Sequence, residues 1–427
     1  MHIAFFNRSY YPDQAATGQL LTELCEHLVR DHGCRVSVVA GVPLQPMAGR
    51  GVESRGVLTR DRHNGVEILR ARGTRFSKQR FVGRASNYVT YFFSACYAGW
   101  RLDKPDVVVA LTDPPIIGIA AWLAGLRFQA PLVMAFQDVF PEVTVLMEDF
   151  HSDAINGALQ AVNEFLVRRA ARSIVIGDTM RRRLIENKGA SPDRTVVISN
   201  WADTSAIQPG PRHNVFSKNH DLDDKFVVMH SGNLGLSQSL ETLVDAAALL
   251  RDVPDVRVVF QGEGVKKSEL EQRAQSLGLT NVMFLPFMPK DRLGESFAAA
   301  DVFVVSLQRG LAGYIVPSKL YGILASGRPF IAAVEESCEV ASIATGHDCG
   351  IVVEPGHPQA LADAIRVCRA DRTRLARLGA NARAISTSFD RAGQVARYLD
   401  VFRSVKVPVR GQEPLPTPEG EAHVGRS

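Results

Sequence analysis

A chain of 427 residues is too long for a single hydrophobic core and suggests two domains of roughly 200 residues each. A hydrophobic share of 46% and a charged share of 22% mark a folded globular protein, and a formal net charge of +4 is too weak to imply nucleic-acid binding. Six cysteines, at 25, 34, 96, 338, 349 and 368, show neither CxxC spacing nor a pairing pattern, so we expect no disulfides and no structural zinc.

The opening residues run straight into HIAFFN with no signal-peptide pattern, and no apolar run reaches the roughly 20 residues that span a bilayer. A cytoplasmic protein is the expectation. His2 to Asn7 reads as a buried strand, followed by a loop holding Thr17 and Gly18, a helical pattern ending at Gly33, and a strand from Arg35 to Gly41. This opens a βαβ unit with a parallel sheet. Gly18 stands alone without a GxGxxG fingerprint, which removes the main support for a nicotinamide dehydrogenase.

Between Arg55 and Arg84 the arginines and lysines far outnumber Asp61 and Glu67, in a segment read as irregular apart from a strand at Val66 to Arg70. An aromatic, uncharged helix from Ala85 to Trp100 follows. Interleaved cations and aromatics suit an anionic membrane surface; a core helix beside a solvated loop is the plainer reading. Strands at 106–111 and 131–136 lead to Asp138 and Glu142, just past a strand's carboxyl end, where a carboxylate can bind hydroxyls, take a proton or simply cap a helix.

Residues 204–222, rich in proline and polar groups, read as a linker, and a second αβ series follows from Phe226. Ser231 to Gly235 and Gly262 to Gly264 are glycine-bearing loops between strand and helix, able to bring backbone amides close to a phosphate or serving packing alone. After the strand at 301–304, Pro317 and Ser318 open a helix whose first turn carries Lys319 and whose end is marked by Gly327, an arrangement suited to an anion. Helical patterns run from about Leu361 to Phe402 with breaks near Ala370 and Ser386. The tail 407–427 has a disordered composition.

With HSGNLG, NWAD, QGEG, LPFMP and PSKLYGILASGRP in view, the chain resembles glycosyltransferase family 4 over nearly its whole length. FQDVFPEV, TDPP and CEVASI resemble the branch that builds bacterial exopolysaccharide, colanic-acid-type capsule and O-antigen. The resemblance implies an α/β protein of GT-B fold, two Rossmann-like doubly wound parallel-sheet domains facing a cleft. Residues 1–203 would hold the acceptor and 223–385 the nucleotide-sugar, with a helix at 386–406 able to cross back to the first domain.

The implied function is retaining transfer from a UDP- or GDP-sugar to an undecaprenyl-diphosphate-linked saccharide, without metal or other cofactor and without nucleic acid, in peripheral contact with the inner membrane. Asp138 and Lys319 are the expected catalytic residues. Thr17, Gly18, Glu142, Gly232, Asn233, Leu234, Gly235, Gln238, Gly262, Arg309, Tyr314, Pro317, Ser318, Leu320 and Glu339 are the expected binding residues. The chain departs from the family twice: its usual pair of glutamates falls on Tyr314 and Gly322, and its usual basic pair on Asn233 and Gln238. Lys319 and Arg309, with Lys266 and Lys267 behind them, are the expected substitutes. A nucleotide-sugar 2-epimerase of the same fold and a nucleotide-sugar-binding scaffold are the alternative functions.

Overall fold

The computed structural model describes residues 1–13, 15–43, 56–74, 76, 81–147 and 152–406. The first half forms a sheet of β1 (His2–Phe6), β2 (Arg35–Gly41), β3 (Leu58–His63), β4 (Val66–Ala71), β5 (Val107–Ala110), β6 (Leu132–Phe136), β7 (Arg172–Val175) and β8 (Thr195–Val197). Their spatial order is β3-β4-β2-β1-β5-β6-β7-β8. The second half builds a parallel sheet from β9 (Phe226–Ser231), β10 (Val256–Gln261), β11 (Val282–Leu285), β12 (Val302–Ser306), β13 (Phe330–Ala333) and β14 (Gly350–Val353), ordered β11-β10-β9-β12-β13-β14.

The central strands are uninterrupted apolar runs because helices cover both faces of each sheet. Along β1 the side chains alternate between two cores: Ala4 and Phe6 on one side, Ile3 and Phe5 on the other. Each fully buried phenylalanine adds roughly 1.5–3 kcal/mol of hydrophobic stabilisation. The helix Arg391–Val405 follows the second sheet in sequence yet packs Tyr398, Leu399 and Phe402 into the first core, with the Phe402 ring 5.9 Å from Phe5.

Three details differ from the sequence expectation. The segment before Val66 contains β3, an antiparallel partner of β4 joined through Asn64 and Gly65, both with positive φ as a type I′ turn requires. Residues from Arg212 onward belong to the second unit: Arg212 donates to Asp301 and to the carbonyls of Leu222 and Lys225, and Phe216 is buried in that unit's core. The basic stretch is partly neutralised inside the fold, since buried Arg70 pairs with Asp61 at 3.4 Å and Arg60 with Glu67 at 2.7 Å. Arg55, Arg75, Lys78, Arg80 and the tail 407–427 lie outside the described residues.

The carboxyl ends of the two sheets meet. The Val139 amide donates to the Tyr314 carbonyl at 2.9 Å, Asp138 and Ile315 form an antiparallel bridge, and Thr179 Oγ1 donates to the Ser337 carbonyl at 2.8 Å. Open α/β sheets bind ligands at this edge.

Candidate functional site

On the second unit's side, the loops after β9 and β10 interlock by backbone contact. A Cβ on Gly262 would lie 1.9 Å from the Gly232 carbonyl oxygen, and one on Gly264 would lie 2.2 Å from that of Leu234. Glycine is therefore needed here so that one loop can lie on the other. The interlock also consumes amides expected to face a phosphate: Gly232 donates to Gln261, Leu234 to Glu263, and Gly235 to the Gln238 side chain at 3.4 Å. Leu234 is a core residue, Gln238 is turned inward, and exposed Asn233 folds over Gly235. Phe287, 47% exposed on the loop after β11, lies against Gly262 and offers an aromatic face beside these loops.

Lys319 begins the helix Lys319–Ala325, whose seven residues carry only a short dipole, and Ser318 before it has helical φ and ψ with no capping bond. The positive charge at this site is therefore mainly the lysine's own. The Lys319 chain runs over Gly232, its Cε 3.3 Å from where a Cβ would stand, and Nζ donates to His230 Nε2 at 2.8 Å. Burial brings the ammonium's pKa down to about 7. His230 is fully buried, and burial with the neighbouring ammonium drives its own pKa well below the usual histidine range, so it is a neutral imidazole. No carboxylate pairs with Lys319 among the described residues.

The first unit contributes Asp138 after β6, bridged to Ile315 of the second unit, and Asp113 after β5. The Asp138 amide donates a weak bond to Thr112 Oγ1 at 3.4 Å, while burial and the Asp113 charge push its carboxyl up to about 6. Asp113 accepts from Arg8 Nε at 3.1 Å and Ser9 Oγ at 2.6 Å, and Arg8 lies 5.0 Å from the centre of the Tyr88 ring. Gly18 is packed under this group: a Cβ there would meet Ser9 at 3.2 Å, with Thr17 partly exposed beside it. Arg8, Asp113 and His230 are the site residues the sequence reading missed. A charged residue straight after a strand was the available signal for the first two, and a histidine ending the apolar run FVVMH for the third.

Several expected residues lie elsewhere. Glu142 is paired with buried Lys188 at 2.8 Å, and Arg309 is turned outward to Glu354. Lys266 is held by Glu241 and Glu269, each at 2.7 Å, and Lys267 by Glu263 at 2.8 Å. Leu320 is a core residue, and Pro317 accepts the Leu320 amide. Glu339 reaches across to the other unit, its carboxylate against Gly177 and 3.4 Å from the Thr179 amide, with burial raising its pKa. Tyr314 serves the same junction: its hydroxyl accepts from Asn187 at 3.3 Å and its ring lies 5.3 Å from the Arg183 guanidinium. A Cβ at Gly322 would lie 3.1 Å from the Phe297 ring and 3.6 Å from Ile207, so that position faces packing.

Residues 16–201 match the model for a glycosyl transferase 4-like domain, and residues 212–385 match that for glycosyl transferases group 1. The chain is 28% identical over 384 residues to the putative colanic acid biosynthesis glycosyl transferase WcaI of Escherichia coli K12, covering 86% of this chain and 91% of that one. It is 28% identical over 306 residues to the probable glycosyltransferase WbjE of Pseudomonas aeruginosa, covering 70% and 76%. Among solved structures, Anabaena Alr3699/HepE in complex with UDP-glucose superposes with a TM-score of 0.72 at 20% identity, covering 95% of this chain and all of that one. That likeness is one of fold, and the fold is GT-B.

Proposed function

From a chain that belongs to the glycosyltransferases, pairing a glycosyl transferase 4-like domain with a group 1 domain, we propose transfer of a sugar from a nucleotide-sugar to a lipid-diphosphate-linked saccharide, with retained configuration, in cell-surface polysaccharide synthesis. The observation that carries the reading is Lys319, a cation at the mouth of the second sheet that no carboxylate neutralises among the described residues. As the bond from sugar to diphosphate lengthens, negative charge gathers on the leaving group and the sugar gains oxocarbenium character. An ammonium already in position stabilises that charge without reorganisation. Asp138, with a pKa near neutrality, is suited to accept a sugar hydroxyl or a proton from the acceptor. UDP-sugars are the first donors to test, because HepE binds UDP and UDP-glucose. GDP-sugars are the second.

A lipid acceptor agrees with the surface of the first unit. Val89, Phe93, Tyr97 and Trp100 recur at helical spacing on Phe81–Trp100, and Phe93 and Trp100 are 66% and 58% exposed. Leu123 and exposed Leu126 extend the apolar face from the neighbouring helix Ile117–Phe128. Arg127 stacks 4.3 Å over Trp100, and Arg101 bonds the Tyr97 hydroxyl at 2.9 Å, so cations border an aromatic ridge. Anionic headgroups and the acyl boundary match that pattern. No described helix is long and apolar enough to cross a membrane.

Radiolabelled transfer to lipid extract, with the unreacted donor analysed alongside, tests the activity. Labelled glycolipid is expected, unchanged by EDTA because the reading assigns the diphosphate's counter-charge to Lys319. Donor isomerised without acceptor, or bound without turnover, would overturn it. Flotation with phosphatidylglycerol vesicles is expected to be lost on Phe93→Ser with Trp100→Ser and Arg127→Glu. Unaltered flotation rejects the ridge.

A further inference from the structure

We infer that His230 is the positioning residue of Lys319, a buried neutral imidazole that fixes the ammonium over Gly232 without cancelling its charge. The inference rests on the diphosphate reading above.

A lysine beside a phosphate loop must be held still and must stay unpaired, and these needs conflict. A carboxylate would hold it firmly, but the ligand would then have to displace that partner. An imidazole accepts one hydrogen bond and carries no charge. The geometry here is of that kind: Nζ lies 2.8 Å from Nε2, and the ring is fully buried at the end of β9. An ammonium can donate only to a bare Nε2, so the ring proton sits on Nδ1, and the backbone of Asn233 and Val304 also acts on the ring.

The charged groups on the surrounding elements are engaged elsewhere. Glu263, on the loop after β10, holds Lys267, and Asp301, before β12, holds Arg212. Glu339, after β13, faces Thr179 across the cleft. His230 is thus the group that sets where the ammonium lies, and with it the ease of losing the proton on a site that burial already makes reluctant to hold charge.

UDP binding by isothermal titration from pH 6 to 9, with melting temperatures in parallel, tests the inference. Wild-type affinity is expected to fall as pH rises and Lys319 loses its proton. His230→Phe keeps an aromatic ring but withdraws the acceptor, so binding at pH 7 weakens about tenfold and the midpoint moves to lower pH. His230→Gln, whose amide oxygen can replace Nε2, restores most of both. If His230→Phe does not fold, His230→Asn, too short to reach Nζ, carries the same expectation. An unchanged midpoint in a folded acceptor-less variant overturns the role of His230. Lys319→Met binding UDP as the wild type does would instead overturn the diphosphate reading on which it rests.

Discussion

Lys188 and Lys319 both carry their charge into the fold, and they are treated in opposite ways. Lys188, on the helix Asp178–Lys188, has a fully buried side chain and meets Glu142 at 2.8 Å and the Gln160 amide oxygen. Lys319 meets a neutral imidazole and, among the described residues, no carboxylate. A buried ammonium supplied with a carboxylate is satisfied, and its task is to join elements. One supplied with an uncharged acceptor keeps its charge unspent and favours an anion from outside. Partner chemistry, more than burial or position in sequence, separates the structural cation from the functional one.

Lys319→Ala is expected to lower kcat/KM by about 10²–10³, the scale seen when one donor to a developing oxyanion is removed. Its melting temperature should not fall, since a desolvated charge is lost with it. Lys188→Met should do the reverse. Leaving Glu142 unpaired in a partly exposed setting costs roughly 2–4 kcal/mol, somewhat less than a fully buried pair would. Melting temperature then drops by several degrees while the folded fraction keeps its rate. Transfer assays and calorimetry on the two variants check this, and a rate loss in Lys188→Met with unchanged melting would erase the distinction.

How far the sequence carried this distinction depends on range. The central strands were legible because runs such as HIAFF and FVVMH are apolar along their whole length. β3 was missed because LTRDRH is a polar edge strand, although Asn64-Gly65 was a usable hairpin signal. Lys319 was legible from its place after β12. Its partner was not, because His230 lies 89 residues earlier and only packing brings them together. Glu142 was misread for the same reason: a carboxylate past a strand end looks the same whether it faces substrate or a lysine 46 residues away. Arg309 looked available until the chain folded Glu354 against it.

A pH profile sharpens the comparison within the site. Asp138, raised to about 6, must lose its proton before it can take one from the acceptor hydroxyl, so kcat/KM should climb as pH rises through that value. Lys319, lowered to about 7, must keep its proton to hold the diphosphate, so kcat/KM should decline above that value. The free enzyme should therefore show a narrow bell. Bound donor brings negative charge to Lys319 and raises its pKa, so kcat at saturation should hold to higher pH. Asp138→Asn should abolish the acid limb and leave the alkaline one. A flat profile from pH 5 to 9 would reject both assignments.

The smallest effect belongs to the cations that already have partners. Lys266 and Lys267 open the helix Lys267–Ser276 and Arg309 follows β12, and by net charge alone each looks like a phosphate ligand. Each is matched to a carboxylate, and the Arg309–Glu354 pair is more than half exposed on both sides. To serve a diphosphate, such a side chain must leave its partner, and the gain is then a difference between two ion pairs in water. Exposed pairs are worth about 0–1 kcal/mol, so that difference is smaller still. Lys267→Ala and Arg309→Ala are accordingly expected to change kcat/KM by less than about fivefold. Added salt should weaken whatever effect remains, because exposed charges are screened within roughly 10 Å at 0.1 M. A loss from Arg309→Ala comparable to that from Lys319→Ala would mean that Arg309 exchanges Glu354 for the donor, and that a charged partner does not mark a cation as structural.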